Sequence, residues 1–362
     1  MVTLLRLLSI STVLALSLLD RQPVFVNRAT SSQLESLPGI GPAKAAAIID
    51  FRDRFGPFTC TGDLLEVPGI GEGTLAMIES LIVIDNWESA FPDTSHWLPS
   101  TDSIENPIVE VAVLDIGEGD AILVRAGDGL TALVDAGPDD GGPVVPPVII
   151  RLAMMGVEGV DIVMMTHPHD DHIGGMAEVI RDLGVSRVYD PCISFQSPAY
   201  IDFLEAVEET GCSFAVLDSG VVVRLSDEVS IRCLDSGSDA SVDANLNELS
   251  AVMLVEAGDF SMLLPGDIEE EAEMRLAESA RPVTAMVIPH HGSRTSDFPP
   301  LLRRLRPQIA VVSAGRDNPF GHPHSSVLER YEALGALVLR TDRRGSIFIR
   351  SDGRRISITS SM

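Results

Sequence analysis

The segment Thr166-His167-Pro168-His169-Asp170-Asp171-His172 puts three imidazoles and two carboxylates within seven positions. Such crowding is hard to account for without a cation to hold the groups together. The apolar run Val160-Asp161-Ile162-Val163-Met164-Met165 before it reads as a buried strand, and Ile173-Gly174-Gly175-Met176 after it as the entry to a helix. The cluster therefore sits on a strand-to-helix loop, where proteins that alternate strands with helices keep their chemistry. In an extended segment His167 and His169 point the same way, while Asp171 and His172 lie past the bend and can reach a second ion. The spacing predicts two adjacent metal sites. The bland alternative is a His-rich polar surface loop, in a chain with only eight histidines.

At 362 residues there is room for one large domain and a small one, with ample core. A net charge of −27 argues against broad attraction to nucleic acid, so any polyanion must be held locally. An acidic surface that serves solubility is the simpler reading. Arginine supplies nearly all the positive charge, and Lys44 is the only lysine. Residues 1–24 read as a signal peptide or short membrane anchor: Leu7 to Leu19 form an apolar run behind Arg6, short for a free-standing span, with a small-residue pattern at Ala15-Leu16-Ser17. The expected location is outside the cytoplasm: extracellular, periplasmic or anchored at the cell surface. There Cys60, Cys192, Cys212 and Cys233 would meet oxidising conditions, and one disulfide among the last three is expected, with the pair left open.

Leu37-Pro38-Gly39-Ile40-Gly41 recurs as Val67-Pro68-Gly69-Ile70-Gly71, thirty positions on. Pro-Gly-x-Gly ends one helix and turns the backbone tightly before the next, leaving amide N–H groups free to receive an anion. Through these motifs together with Asn27-Arg28-Ala29-Thr30, Lys44, Phe55-Gly56-Pro57-Phe58 and Asp63-Leu64, residues 25–85 resemble the paired helix-hairpin-helix module of the ComEA family. That resemblance implies DNA phosphates held at Gly39, Gly41, Gly69 and Gly71, assisted by Lys44. The second hairpin departs from the pattern, because Glu72-Gly73 stand where a basic residue is expected, and it should bind weakly or serve packing. A protein-interaction or scaffolding module is the alternative.

Residues 86–107 read as a linker rich in Pro, Ser, Asp and Glu, anchored by Trp87, Phe91 and Trp97. From residue 108 to 362 short strands (109–114, 121–125, 130–134) precede a helical stretch (144–155) and further βα units, which predicts an α/β domain with two sheets sandwiched between helices. Leu114 to Ala121, Val134-Asp135-Ala136-Gly137, the histidine cluster, Asn247-Glu248-Leu249-Ser250, Leu264-Pro265-Gly266-Asp267, Pro289 to Ser293 and Phe320 to His324 occur in the order typical of the metallo-β-lactamase superfamily. Within it, this region is similar to the soluble hydrolase domain of the ComEC family. Glu118 is a departure, since that family usually has Gln there.

The resemblance implies an αββα sandwich and one or two divalent ions, manganese or zinc. His167 and His169 would bind one, Asp171 and His172 the other, with Asp267 bridging and His290 or His291 completing the second site. Strand alternation favours His291. On its own Asp267 also reads as a helix N-cap before Ile268-Glu269-Glu270. No histidine occurs between His172 and His290, so the first site has two imidazoles plus Asp267, with Asn247, Asp243 or water to fill it, which shifts preference from zinc towards manganese. Two cations roughly 3.5–4 Å apart would supply hydroxide at neutral pH. Asp171, rather than Asp170, would orient that water. His322 or His324 would protonate a leaving oxygen, a capping or packing role being the alternative for one of them, and Ser293, Arg294 and Ser296 could contact phosphate. Asp135, Asn247 and Ser250 would support the ligands.

The leading expectation is an exported metal-dependent phosphodiesterase that holds DNA with its hairpins and cuts it, in DNA uptake or extracellular DNA degradation. A hydrolase of a small phosphodiester or other ester is the alternative, as is a non-catalytic DNA-binding adaptor with a structural metal. No other apolar run approaches a membrane span, so a channel is not expected.

Overall fold

The computed structural model describes residues 23–58, 60–84, 104–139, 145–238 and 245–362. The leader expected over residues 1–24, apart from its last two residues, lies outside them, as do Trp87, Phe91, Trp97 and Asp243. The chain divides into two compact units, Met1–Pro92 and Asp93–Met362.

In the first unit, β1 (Val24–Phe25) pairs in parallel with β2 (Ile82–Val83), tying the two ends together. Between them lie α1 (Ser31–Glu35), α2 (Pro42–Phe55) and α3 (Glu72–Ile78). A capping box between Thr30 and Gln33 starts α1. The two repeats fold alike: Gly39 and Gly69 take φ of 78° and 86°, a left-handed turn that glycine adopts without strain, and Gly41 and Gly71 stand at the N-caps of α2 and α3. Lys44 Nζ donates to Thr74 Oγ1 at 3.0 Å. These residues are themselves thirty positions apart, so the repeats meet through equivalent positions. Leu34, Ile48, Phe51, Phe55, Phe58, Leu64 and Ile78 fill the core beneath them.

The second unit opens with β3 (Val109–Val113), β4 (Ile122–Ala126), β5 (Thr131–Val134), β6 (Ile162–Met164), β7 (Arg187–Asp190) and β8 (Ser213–Val216). A second sheet follows from β9 (Val222–Arg224), β10 (Val229–Asp235), β11 (Val252–Ala257), β12 (Phe260–Leu264), β13 (Ala285–Val287), β14 (Ile309–Val312) and β15 (Leu337–Arg340). The chain then returns through β16 (Ile347–Ser351) and β17 (Ile356–Ser360) to β3, giving the orders β17-β16-β3-β4-β5-β6-β7-β8 and β15-β14-β13-β12-β11-β10-β9. Each sheet runs antiparallel first and then parallel, through β5-β6-β7-β8 in one and β12-β13-β14-β15 in the other.

Period-two alternation sorts the strand residues between layers. Val109, Val111, Val113, Met262 and Leu264 join the core between the sheets. Ala112, Leu114, Leu133 and Val163 face outward onto α4 (Pro147–Met154), α6 (Met176–Asp182) and α7 (Pro198–Thr210) through Val148, Leu152, Val179 and Phe203. On the second sheet α8 (Glu270–Ser279), α9 (Pro299–Leu305) and α10 (Ser325–Ala333) meet over Met286. The expected αββα sandwich is what forms.

Three expectations need correction. The helix after the histidine cluster does not enter at Ile173; α5 (Asp170–Ile173) begins inside the cluster because the His169 carbonyl already accepts from the amides of His172 and Ile173 at 3.0 Å. Asp267 is not a helix N-cap, since Glu269 takes that position before α8. All four cysteines are free, and Cys233 is packed in the core between the sheets.

Two predictions arise from this packing. Gly119 takes φ of 104°, and a Cβ there would overlap the Asp171 carbonyl oxygen at the start of α5. Gly119→Ala should therefore cost about 2 kcal/mol or more, read as a fall in the denaturant midpoint. Glu273 is buried, and its carboxyl accepts from the Phe298 amide at 3.0 Å. Burial, with Asp297, Glu248 and Glu270 nearby, lifts its pKa well above the glutamate value. The native state keeps a proton there that the unfolded chain releases, so stability falls as pH rises from the ordinary glutamate value towards the raised one. In unfolding scans from pH 5 to 8, Glu273→Gln should flatten that decline.

Candidate metal centre

The centre forms where the C-terminal ends of parallel strands from both sheets come together. His167 and His169 follow β6, Asp171 and His172 lie in the first turn of α5, Asp267 follows β12, and His290-His291 follow β13. His172 Nε2 lies 3.3 Å from Asp267 Oδ1, while His291 Nε2 and His290 Nε2 lie 3.6 and 3.9 Å from Asp267 Oδ2. The two oxygens of one carboxylate thus face imidazoles from different elements. His291 Nε2 is also 3.6 Å from Asp171 Oδ2, and one ligand atom each from Asp171, His172, Asp267 and His291 fit within 4.8 Å of one another. His167 joins through its ring, 4.2 Å from that of His172, and its Nε2 lies 2.8 Å from His169 Nδ1.

Strand alternation does not choose between His290 and His291, because Pro289–Gly292 is a turn rather than a strand. Both histidines have left-handed backbones, with φ of 47° and 54°. Both rings reach towards Asp267; His291 is buried and His290 half-turned to Glu269, 3.3 Å from its Nδ1. Left-handed non-glycine residues cost conformational energy and are found where surrounding structure imposes them.

Supporting groups fix the rings. Asp135 Oδ2 lies 2.8 Å from His172 Nδ1, and the same carboxylate accepts from the amide and hydroxyl of Thr166 at 2.8 and 2.6 Å. The Ser313 carbonyl lies 3.1 Å from His291 Nδ1. Ser250 Oγ accepts from the Asp267 amide at 3.3 Å. Asn247 Nδ2 donates to Glu269 at 3.2 Å, and its side-chain Oδ1 is buried without a hydrogen-bond partner.

The charge balance is tense. Burial pushes His172 down, but Asp267 and Asp135 outweigh it and hold its pKa well above the usual value. Burial likewise opposes His291, which Asp267, Asp171 and Asp120 lift to about 10. Burial raises Asp267, and His172 and His291 overcome it to hold the carboxylate well below its usual range. Asp120, raised to about 6 by burial, lies 3.7 Å from His291 Nδ1. His172 Nε2, Asp267 Oδ1, His291 Nε2 and Asp120 Oδ1 are all buried without a hydrogen-bond partner. Nitrogen and carboxylate donors left unpaired around one point fit a divalent cation.

Other expected residues are spread around this centre. Asp170 is exposed, which leaves Asp171 as the acid of that pair facing inward. His322 stands over the pair, 5.7 Å from the His290 ring and 6.3 Å from that of His291. His324 occupies the N-cap position of α10 without a side-chain cap. Ser293 is buried and bonded to Thr295 at 3.0 Å, Ser296 is buried, and Arg294 is exposed on the same turn. Gly39, Gly41, Gly69, Gly71 and Lys44 belong to the first unit. Sequence reasoning passed over Asp120 and Glu269. Asp120 had a signal, an acid wedged between Gly119 and the apolar start of β4; Glu269 figured only in the helix expected after Asp267.

Residues 20–83 match the helix-hairpin-helix motif family, and residues 114–206 match the metallo-beta-lactamase superfamily. ComE operon protein 3 of Bacillus subtilis is 30% identical over 263 residues, 68% of this chain and 33% of that protein. Recombination protein 2 of Haemophilus influenzae is 28% identical over 261 residues, 70% of this chain and 30% of that protein. ComE operon protein 1 of Bacillus subtilis is 41% identical over 61 residues, 17% of this chain and 30% of that protein. The chain thus spans about a third of the length of these curated relatives. It joins a helix-hairpin-helix domain to a metallo-beta-lactamase superfamily domain, and its homologues include ComEC-like competence proteins.

Proposed function

We propose that this chain is a metal-dependent phosphodiesterase that hydrolyses DNA outside the cytoplasm. The observation that carries the reading is the convergence of buried His172 Nε2, Asp267 Oδ1 and His291 Nε2, none with a hydrogen-bond partner, in a chain that also has paired hairpins. The apolar run Leu7 to Leu19 supports an exported placement. His167 and His169 with Asp267 would hold one divalent ion; Asp171, His172 and His291 with Asp267 would hold a second. When bound, manganese or zinc would acidify a water and offset negative charge on the attacked phosphorus.

The chain's own groups do the rest. Asp135 fixes which nitrogen of His172 faces the centre, and the Ser313 carbonyl does so for His291. Asp171 orients the water, and His322 supplies a proton to the leaving oxygen. Backbone amides behind Gly39 and Gly41, with Lys44, hold strand phosphates and raise the local concentration of substrate despite the acidic surface. Because Glu72 and the −27 charge oppose a polyanion, a small phosphodiester is the second reading.

The test is cleavage of plasmid DNA, single-stranded DNA and bis-p-nitrophenyl phosphate with manganese, zinc or magnesium, each against a chelator. Metal-dependent DNA cleavage is expected; turnover of the small diester alone would leave the second reading. His169→Ala and Asp267→Ala should abolish cleavage while DNA retention persists. Lys44→Glu should weaken retention and lower the log–log salt slope by about one, with small-substrate turnover kept. Unchanged DNA affinity in that variant would remove the hairpins from the account.

A further inference from the structure

Glu118, on the connection between β3 and β4, faces His322 from a distant part of the second unit. Glu118 Oε1 lies 3.4 Å from His322 Nδ1, with side chains 18% and 10% exposed, and neither atom has a hydrogen-bond partner. Both residues are held in place. The Gly315 amide donates to Glu118 Oε2 at 3.3 Å. Asn318 accepts from the His322 amide at 2.9 Å and donates to its carbonyl at 2.6 Å. The Phe320 ring stacks on His322 at 5.7 Å and 24°. With Nδ1 turned to Glu118, Nε2 lies on the opposite edge of a ring that stands beside His290 and His291.

We propose that Glu118 is a positioning residue that keeps a proton on His322 Nδ1, so that Nε2 is the nitrogen that hands a proton to the leaving oxygen. The proposal rests on the phosphodiesterase reading above. A glutamine amide could accept from Nδ1 but brings no charge to balance an imidazolium, whereas a carboxylate does both. A 3.4 Å separation is loose for a hydrogen bond, as acid–base pairs commonly are before substrate closes on them. In the reaction water adds to phosphorus while the P–O bond to the leaving group breaks. The leaving oxygen takes the Nε2 proton, the ring keeps its Nδ1 proton on Glu118, and the proton shed by water passes to solvent, which restores Nε2 before the next turnover.

The test compares leaving groups. A dinucleotide, whose alkoxide needs a proton, should lose on the order of 100-fold in kcat in Glu118→Ala and His322→Ala. Bis-p-nitrophenyl phosphate, whose phenolate leaves unaided, should lose less than about tenfold, and the double variant should be no worse than either single one. Glu118→Gln should fall between wild type and Glu118→Ala. Unchanged thermal midpoint and metal content separate this from misfolding. Equal losses on both substrates, or additive losses in the double variant, overturn the proposal. Nitrogen-15 spectra of the histidine rings across a pH titration give a readout independent of turnover: a His322 ring that loses its Nε2 proton first and keeps the one on Nδ1 in wild type, and no longer does so in Glu118→Ala, supports the pair, and a wild-type ring that keeps the proton on Nε2 instead overturns it. A protein that cleaves no diester with any metal refutes the phosphodiesterase reading, while the spectra still decide the Glu118–His322 pair.

Discussion

Four carboxylates gather around His172 in two clusters, Asp171 and Asp267 in one and Asp120 and Asp135 in the other, all but Asp171 buried, and the architecture of the larger unit depends on how that charge is met. Buried anions of one sign cost several kcal/mol each unless positive charge or hydrogen bonds offset them. Here the offset comes first from histidines whose own burial is unfavourable. The carboxylates that face His172 and His291 raise the pKa of both rings against the effect of burial. The unpaired Nε2 and Oδ1 atoms mark where hydrogen bonding alone leaves the balance unfinished.

Both sheets repeat one plan, antiparallel strands followed by parallel ones with helical crossovers. Such crossovers place the loops after parallel strands at one end of a sheet. Packing the two sheets through Val111, Met253, Met262 and Ile349 brings those ends together, so that β6 and β13, 123 residues apart at their first positions (Ile162 and Ala285), deliver histidines to one spot. Local strain is concentrated there. Asp135, His290 and His291 all have positive φ, and Gly119 leaves room for Asp171 to approach.

The smaller unit shows a different economy. Its two hairpins share a left-handed turn at Gly39 and Gly69, with φ of 78° and 86°, yet they differ in charge, with Lys44 after one and Glu72 after the other. Lys44 also bonds to Thr74, its counterpart by the repeat, so the one lysine of the chain serves packing between the repeats as well as any anion at the first turn.

Much was legible in the order of residues. Alternating apolar strands and the spacing His-x-His-x-Asp-His are local patterns, set by the two-residue period of a strand and by the donor chemistry of the side chains, and they announced the α/β sandwich and a metal centre. The thirty-residue repeat announced the hairpins for the same reason. What only the tertiary structure decided were relations between distant segments. That both His290 and His291 turn towards Asp267 follows from a left-handed turn imposed by its surroundings, which no alternation rule foresees. That Asp120 is a buried member of the cluster, that Glu269 meets His290, and that Glu118 meets His322 across 204 positions of sequence depend on how two sheets pack, because the energy of a buried charge is set by its neighbours in space rather than by its neighbours in the chain.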